Sequence, residues 1–269
     1  MNRQLIDKVR KDTLTNEFVT DGRPSGDPNY LPEAYINRMK EIGEMYRPIR
    51  WLPLDIPRIE FDNFEEFKSI WADQAHDVVR TKPDIAEPWT KEKHPLGQNS
   101  SWNFVQFKGL HLYNHPDMPL DDRTFAAQKY IGKIPQFERV VEQVNEYFPM
   151  HTISDIFIWS SCREIFPHRD KSVYWKCPTE FRVMLADENE EPTLYVADID
   201  HGDVNYIDLP EDTNSFCWSN GTQIHGSDYH GKTKFIMSIA GYQHSTKSIE
   251  LFDRSIAKYR DKLNYKLEM

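Results

Sequence analysis

The stretch "TEFRVMLADENEEPTLYVADIDHGDVNYIDLP", residues 179 to 210, decides the fold class. Three short apolar runs, EFRVMLAD, PTLYVADID and VNYIDLP, follow one another with only polar, Gly or Pro breaks between them. No helical pattern intervenes, so each reads as a strand. The pattern continues outward. TISDIFIWSS (152–161) precedes it, and NSFCWSN (214–220), TQIHGS (222–227) and TKFIMSIAGY (233–242) follow it. Short strands in regular succession argue a sandwich, jelly roll or barrel.

The chain changes character on either side of this block. Before residue 150, LPEAYINRMKEIGEMY places Tyr35, Met39, Ile42 and Tyr46 on one helical face. DNFEEFKSIWADQAHDVV (62–79) opens on an Asp/Asn cap and carries Phe64, Phe67 and Trp71 on one side. SSWNFVQFKGLHLYN (100–114) alternates as a strand, with Gly109 as a bulge position. PQFERVVEQVNEYFP (135–149) puts Phe137, Val140, Val144 and Tyr147 at helical spacing before Pro149 stops it. After residue 243 a last helix carries the stripe Ile249, Phe252, Ile256, Tyr259 and Leu263, fit to dock on the sheet or to serve a homodimer. The expected class is α+β, a double-stranded β-helix (jelly-roll, cupin-like) core. Residues 1–149 are mainly helical and pack on the core, with a substrate lid as one role. Residues 150–243 form the core and 244–269 the C-terminal helix.

Composition narrows the partners. The 269 residues carry a net charge of −10, a poor match for a phosphate backbone, so nucleic acid is not an expected ligand. Cys162, Cys177 and Cys217 form no Cys-x-x-Cys pair and suggest neither a disulfide framework nor a zinc ribbon. No run is long and apolar enough to cross a bilayer, and the first residues show no secretory pattern. A cytoplasmic location is the simplest expectation.

His-x-Asp occurs three times: His115/Asp117, His168/Asp170 and His201/Asp203. The first lies in a Pro- and Asp-rich loop and the last at a Gly-containing hairpin tip, where turn roles suffice. IFPHRD (165–170) instead ends an apolar run. A kinase catalytic loop would need Asn five residues beyond the Asp, where Trp175 stands. Two His and one carboxylate on one face of an ion are the ligand set of non-haem Fe(II) oxygenases. His225, four strand-like runs later, is the candidate third ligand, with His230 next in line. Lys234 opens the following strand and shares a face with Ile236 and Ser238. It and Arg182, in FRVML, are either edge charges or inward cations for a dicarboxylate.

With His168, Asp170, His225 and Lys234 in this order, residues 150 to 243 resemble the Fe(II)/2-oxoglutarate-dependent dioxygenases. Within them, the Arg of FRVML is similar to that of the aspartyl/asparaginyl β-hydroxylase-like branch. The resemblance implies Fe(II) on His168, Asp170 and His225, with the far carboxylate of 2-oxoglutarate on Lys234 and Arg182. It implies dioxygen as cosubstrate, release of succinate and CO2, and hydroxylation of a small molecule such as an amino acid or derivative. Asp170 favours hydroxylation over halogenation, for which family members typically lack the carboxylate. Two positions depart from the family: Lys234 stands for the usual Arg and Ile236 for a Ser, and Lys232 stays open as the basic partner. Two other readings share the scaffold, a cupin-like small-molecule-binding protein and a metal-dependent hydrolase or isomerase.

Overall fold

The structure, a computed structural model, describes residues 33–74, 76–78, 107–114, 135–161, 165–168, 180–198, 201–218, 223–228 and 232–269. Helix α1 (Glu33–Met45) and strand β1 (Trp51–Pro53) lead to α2 (Phe64–Gln74), β2 (His76–Val78), β3 (Phe107–Asn114) and α3 (Pro135–Tyr147). Eight strands follow: β4 (Met150–Ser161), β5 (Ile165–His168), β6 (Glu180–Asp187), β7 (Leu194–Asp198), β8 (Val204–Tyr206), β9 (Ser215–Trp218), β10 (Gln223–Ser227) and β11 (Lys234–Gln243). Helix α4 (Ser245–Tyr259) follows, and a single 3-10 turn (Arg260–Lys262) comes last.

Among the described residues the strands form two antiparallel sheets. The large one runs β1-β9-β6-β11-β4-β3-β2 and the small one β5-β10-β7-β8. The class is therefore α+β. The residue-150 boundary does not divide the sheet, because β3 pairs with β4 and β1 with β9.

Alternation along the strands gives the large sheet two apolar faces. Phe181 and Val183 of β6, with Phe235, Met237 and Ile239 of β11, join a cluster with residues of all four helices. Ile236 and Met184, one residue out of phase, belong to a second cluster with Leu194 and Val196 of the small sheet. The two sheets thus face each other, and the helices cover the far side of the large one. Both faces being buried, the strands are rich in Ile, Val and Phe on alternate positions rather than apolar on one side only.

The helices dock by the faces their periodicity predicts. Met39, Ile42 and Tyr46 are buried, and the Tyr46 hydroxyl donates to Asp253 Oδ1 at 2.6 Å. Asn63 Oδ1 accepts from the backbone N–H groups of Glu65 and Glu66, the cap read from the sequence. Phe67 and Trp71 meet Phe235 edge-on at 5.5 and 5.4 Å. On α4, Phe252, Ile256 and Tyr259 are buried within the chain, so the stripe offered to a dimer is used internally.

Three sequence expectations are corrected. The helix predicted through Val79 ends at Gln74, and His76–Val78 pairs with β3. The bulge in β3 lies between His111 and Tyr113, and Gly109 pairs regularly. IFPH is a strand of its own in the small sheet, not the end of β4.

The C-terminal helix is also fastened by charge. Lys258 Nζ lies 2.7 Å from Asp55 Oδ1 and 2.9 Å from Asp212 Oδ2. The hydrogen bond from Lys258 holds the Asp212 carboxyl below the usual carboxylate range. A depressed folded-state pKa gives stability that is present above the unfolded value, about 4, and lost as pH falls through the folded one. The pair is largely exposed, so its contribution is below about 1 kcal/mol. Asp212→Asn is expected to lower the melting temperature slightly at pH 7 and by less at pH 2. An equal drop at both would remove the carboxylate from the account. Among the described residues no helix is long and apolar enough to cross a membrane.

Candidate active site

β5 and β10 are adjacent antiparallel strands, and His168 is the ladder partner of His225. Ladder partners have Cα atoms about 4.5–5.5 Å apart. The register then shifts before Ser227, which pairs with Ile165. Asp170 lies outside the described residues, as do His230, Cys162, Cys177 and the His115/Asp117 pair. Among the described residues no three His, Cys, Asp or Glu side chains gather as a metal site. His201 and Asp203 sit at the β7–β8 hairpin tip as expected. The His201 N–H donates to Asp198 Oδ1 at 2.7 Å, and Gly202 adopts φ 74°, which suits glycine.

The residues of β10 alternate. Ile224 packs with Tyr195 and Ala197 on the outer side of the small sheet. His225 turns the other way, and its ring lies 5.3 Å from that of Trp218 on β9 of the large sheet. His225 is therefore buried between the sheets. Its Nδ1 is 3.4 Å from the Gln223 carbonyl. A proton on Nδ1 facing that oxygen leaves Nε2 unprotonated, the form a metal ion takes.

Both candidate cations are inward and buried, not edge charges. Lys234 donates to Thr193 Oγ1 at 3.0 Å and, in a short contact, to Ser227 Oγ. Ser227 is two residues beyond His225, so the ammonium sits about one strand repeat, roughly 7 Å, along β10 from it. Arg182 is the ladder partner of Ser238, four residues from Lys234 on β11, about 13 Å along the strand. Its Nη1 donates to Ser238 Oγ at 2.8 Å, and its guanidinium lies 4.6 Å from the centroid of Trp218. Ser238 Oγ also accepts from Trp159 Nε1 at 3.1 Å. These hydrogen bonds share no acceptor between the two cations. Lys232 is exposed and pairs with Glu190 at 3.7 Å.

Three contributors went unread in the sequence. Ser227 could have been found, because it is i+2 from His225 on a strand. Trp218 looks like any core aromatic, and Thr193 lies before its strand begins. Nothing local ties either to the site.

No family model matches the chain, and no curated protein matches it. A solved structure titled as a prolyl hydroxylase in complex with a hypoxia inducible factor oxygen degradation domain peptide fragment, from Trichoplax adhaerens, superposes with a TM-score of 0.30 and 10% identity. The match covers 92% of this chain and 93% of that one. At that score the likeness carries no argument about fold or activity.

Proposed function

We propose that this chain is an Fe(II)- and 2-oxoglutarate-dependent oxygenase built on a double-stranded β-helix, acting on a small molecule such as an amino acid or derivative. The strand pairing supports the scaffold. β4 pairs with β11, β5 with β10, β6 with β9 and β7 with β8, which is one long antiparallel hairpin. The further pairs β11–β6 and β10–β7 are what rolling that hairpin up produces.

The observation that carries the reading is the placement of His168 opposite His225, with the buried Lys234 ammonium one strand repeat away. Two imidazoles and the Asp170 carboxylate, two residues beyond His168, match the donor set that leaves one face of Fe(II) open. The spacing from His225 to Lys234 suits an extended five-carbon dicarboxylate. Bound iron with 2-oxoglutarate would supply the oxidation, coupling reduction of dioxygen and release of succinate and CO2 to oxygen insertion into a C–H bond. The chain's part is placement. Lys234, with the hydroxyls of Thr193 and Ser227, holds the far carboxylate. His225 keeps its proton on Nδ1. Trp159 and Trp218 exclude water from the space between the sheets. Within that superfamily, Arg182 in FRVML supports the aspartyl/asparaginyl β-hydroxylase-like branch.

Anaerobic addition of Fe(II) and 2-oxoglutarate to the purified protein is expected to give a visible charge-transfer absorption, and admission of oxygen to yield succinate. Absence of both would overturn the oxygenase reading. Turnover of a substrate without oxygen would point to the hydrolase or isomerase instead.

A further inference from the structure

Lys234 and Arg182 are both buried and inward, and they stand at different levels of the inter-sheet space. The Lys234 ammonium is held by Thr193 and Ser227, one strand repeat along β10 from His225. The Arg182 guanidinium is held at the level of Ser238, its ladder partner, by the 2.8 Å bond from Nη1 to Ser238 Oγ. Lys234 and Ser238 are four residues apart on β11, about 13 Å. A single carboxylate hydrogen-bonds to a cation over about 2.7–2.9 Å, so it does not meet groups at both levels. Arg182 nevertheless belongs to the surroundings of the histidine pair. Its Cζ is 4.6 Å from the centroid of Trp218, whose ring lies 5.3 Å from that of His225. The guanidinium is thus no farther from the imidazole than those two steps together. The cosubstrate brings two carboxylates: the near one belongs to the metal ion and the far one to Lys234. Arg182 is a further buried cation at a third place, and its fork matches the two oxygens of a carboxylate.

We propose that the substrate is itself an acid, an amino acid or derivative whose carboxylate is gripped by Arg182 while its carbon skeleton lies beside His168 and His225. This departs from the cosubstrate role that the family resemblance implies for Arg182. It rests on the oxygenase reading for the oxidation, whereas the acid site needs only the chain's own residues. Ser238 and Trp218 set the direction of the fork, one by the hydrogen bond from Nη1 and the other by the ring that the guanidinium lies over. An amide in place of the carboxylate loses the charge and one of the two acceptor oxygens, so Arg182 makes acids the preferred class.

The test uses the full-length protein and, as probes, the standard L-amino acids and their N-acetyl derivatives, each beside its α-carboxamide. Binding is followed by calorimetry, first without metal and then anaerobically with Fe(II) and 2-oxoglutarate. At least one acid is expected to bind wild type, and at least roughly 30-fold more tightly than its carboxamide, the low end for a buried hydrogen-bonded charge pair. In Arg182→Met that preference should vanish, while 2-oxoglutarate affinity at saturating Fe(II) holds. In Lys234→Met the reverse is expected: 2-oxoglutarate affinity collapses, and the metal-free protein keeps its preference for the acid. Arg182→Lys keeps the charge without the fork and should lose part of the preference and none of the 2-oxoglutarate affinity. Should Arg182→Met fail to fold, Arg182→Lys carries the comparison. A wild type that takes up Fe(II) and 2-oxoglutarate but prefers no acid to its carboxamide would overturn the proposal and leave the oxygenase intact. So would an acid preference that survives in Arg182→Met or is unchanged in Arg182→Lys, or a loss of 2-oxoglutarate affinity there in its place. A wild type that binds neither Fe(II) nor 2-oxoglutarate, yet loses its acid preference in Arg182→Met, would overturn the oxygenase and leave the acid site standing.

Discussion

Gly226→Ala is expected to destabilise the protein and to abolish iron binding even in the fraction that stays folded. A Cβ on residue 226 would sit 2.4 Å from the Tyr195 hydroxyl, 2.7 Å from Tyr195 Cζ and 2.7 Å from the Ile165 carbonyl. Each of these is closer than packed atoms approach. Tyr195 is buried and stands edge-on to Tyr206, so its ring has no room to retreat. The Ile165 oxygen is backbone of β5, which among the described residues is joined to β10 at two register points. β5 is therefore the element that yields. Overpacking of this kind costs about 1–3 kcal/mol, and more where backbone must move. That is a drop of about 2–4 °C in melting temperature for each kcal/mol in a chain near this size. The displaced strand is the one that ends in His168, beside the residue next to His225. Adding Tyr195→Phe removes only the hydroxyl contact, so the double variant should regain some stability and no iron binding. Circular-dichroism melts and anaerobic Fe(II) titration below the transition measure the two effects. A Gly226→Ala protein with wild-type melting and iron affinity would show that β5 and β10 are not held this closely.

The second large effect is His225→Ala. Removing one of three proposed ligands should cost Fe(II) affinity by more than the roughly 10- to 100-fold of an orienting neighbour, and succinate formation should fall to background. The fold should survive. His225 meets the Trp218 ring and the Gln223 carbonyl of its own strand, and its loss should cost no more than the about 3–5 kcal/mol of truncating a buried Phe. Asp170→Ala should match it in activity. Retained iron affinity in His225→Ala would remove this residue from the metal site, and unaltered small-molecule binding in Asp170→Ala without turnover would favour a binding protein.

What the sequence by itself determined is everything of short period. The runs from TISDIFIWSS to TKFIMSIAGY became strands because alternation over a few residues is local. Met39, Ile42 and Tyr46, or Phe252, Ile256 and Tyr259, became buried faces because helical spacing is local too. The Gly-containing turn at His201 was local in the same way, and the structure has it at a hairpin tip. Ladder partnership is not local. Nothing within IFPH indicates that it leaves β4's sheet, or that His168 will meet a residue 57 positions later (225 − 168). Register depends on which strand lies alongside, and a slip of one residue exchanges the two faces of a strand. Only the tertiary structure could therefore turn Lys234 inward onto Thr193 and Ser227, place Arg182 across from Ser238, and set Trp218 between Arg182 and His225. The residue types were legible because chemistry is carried by single side chains. Their assembly was not, because it is made by the meeting of two sheets.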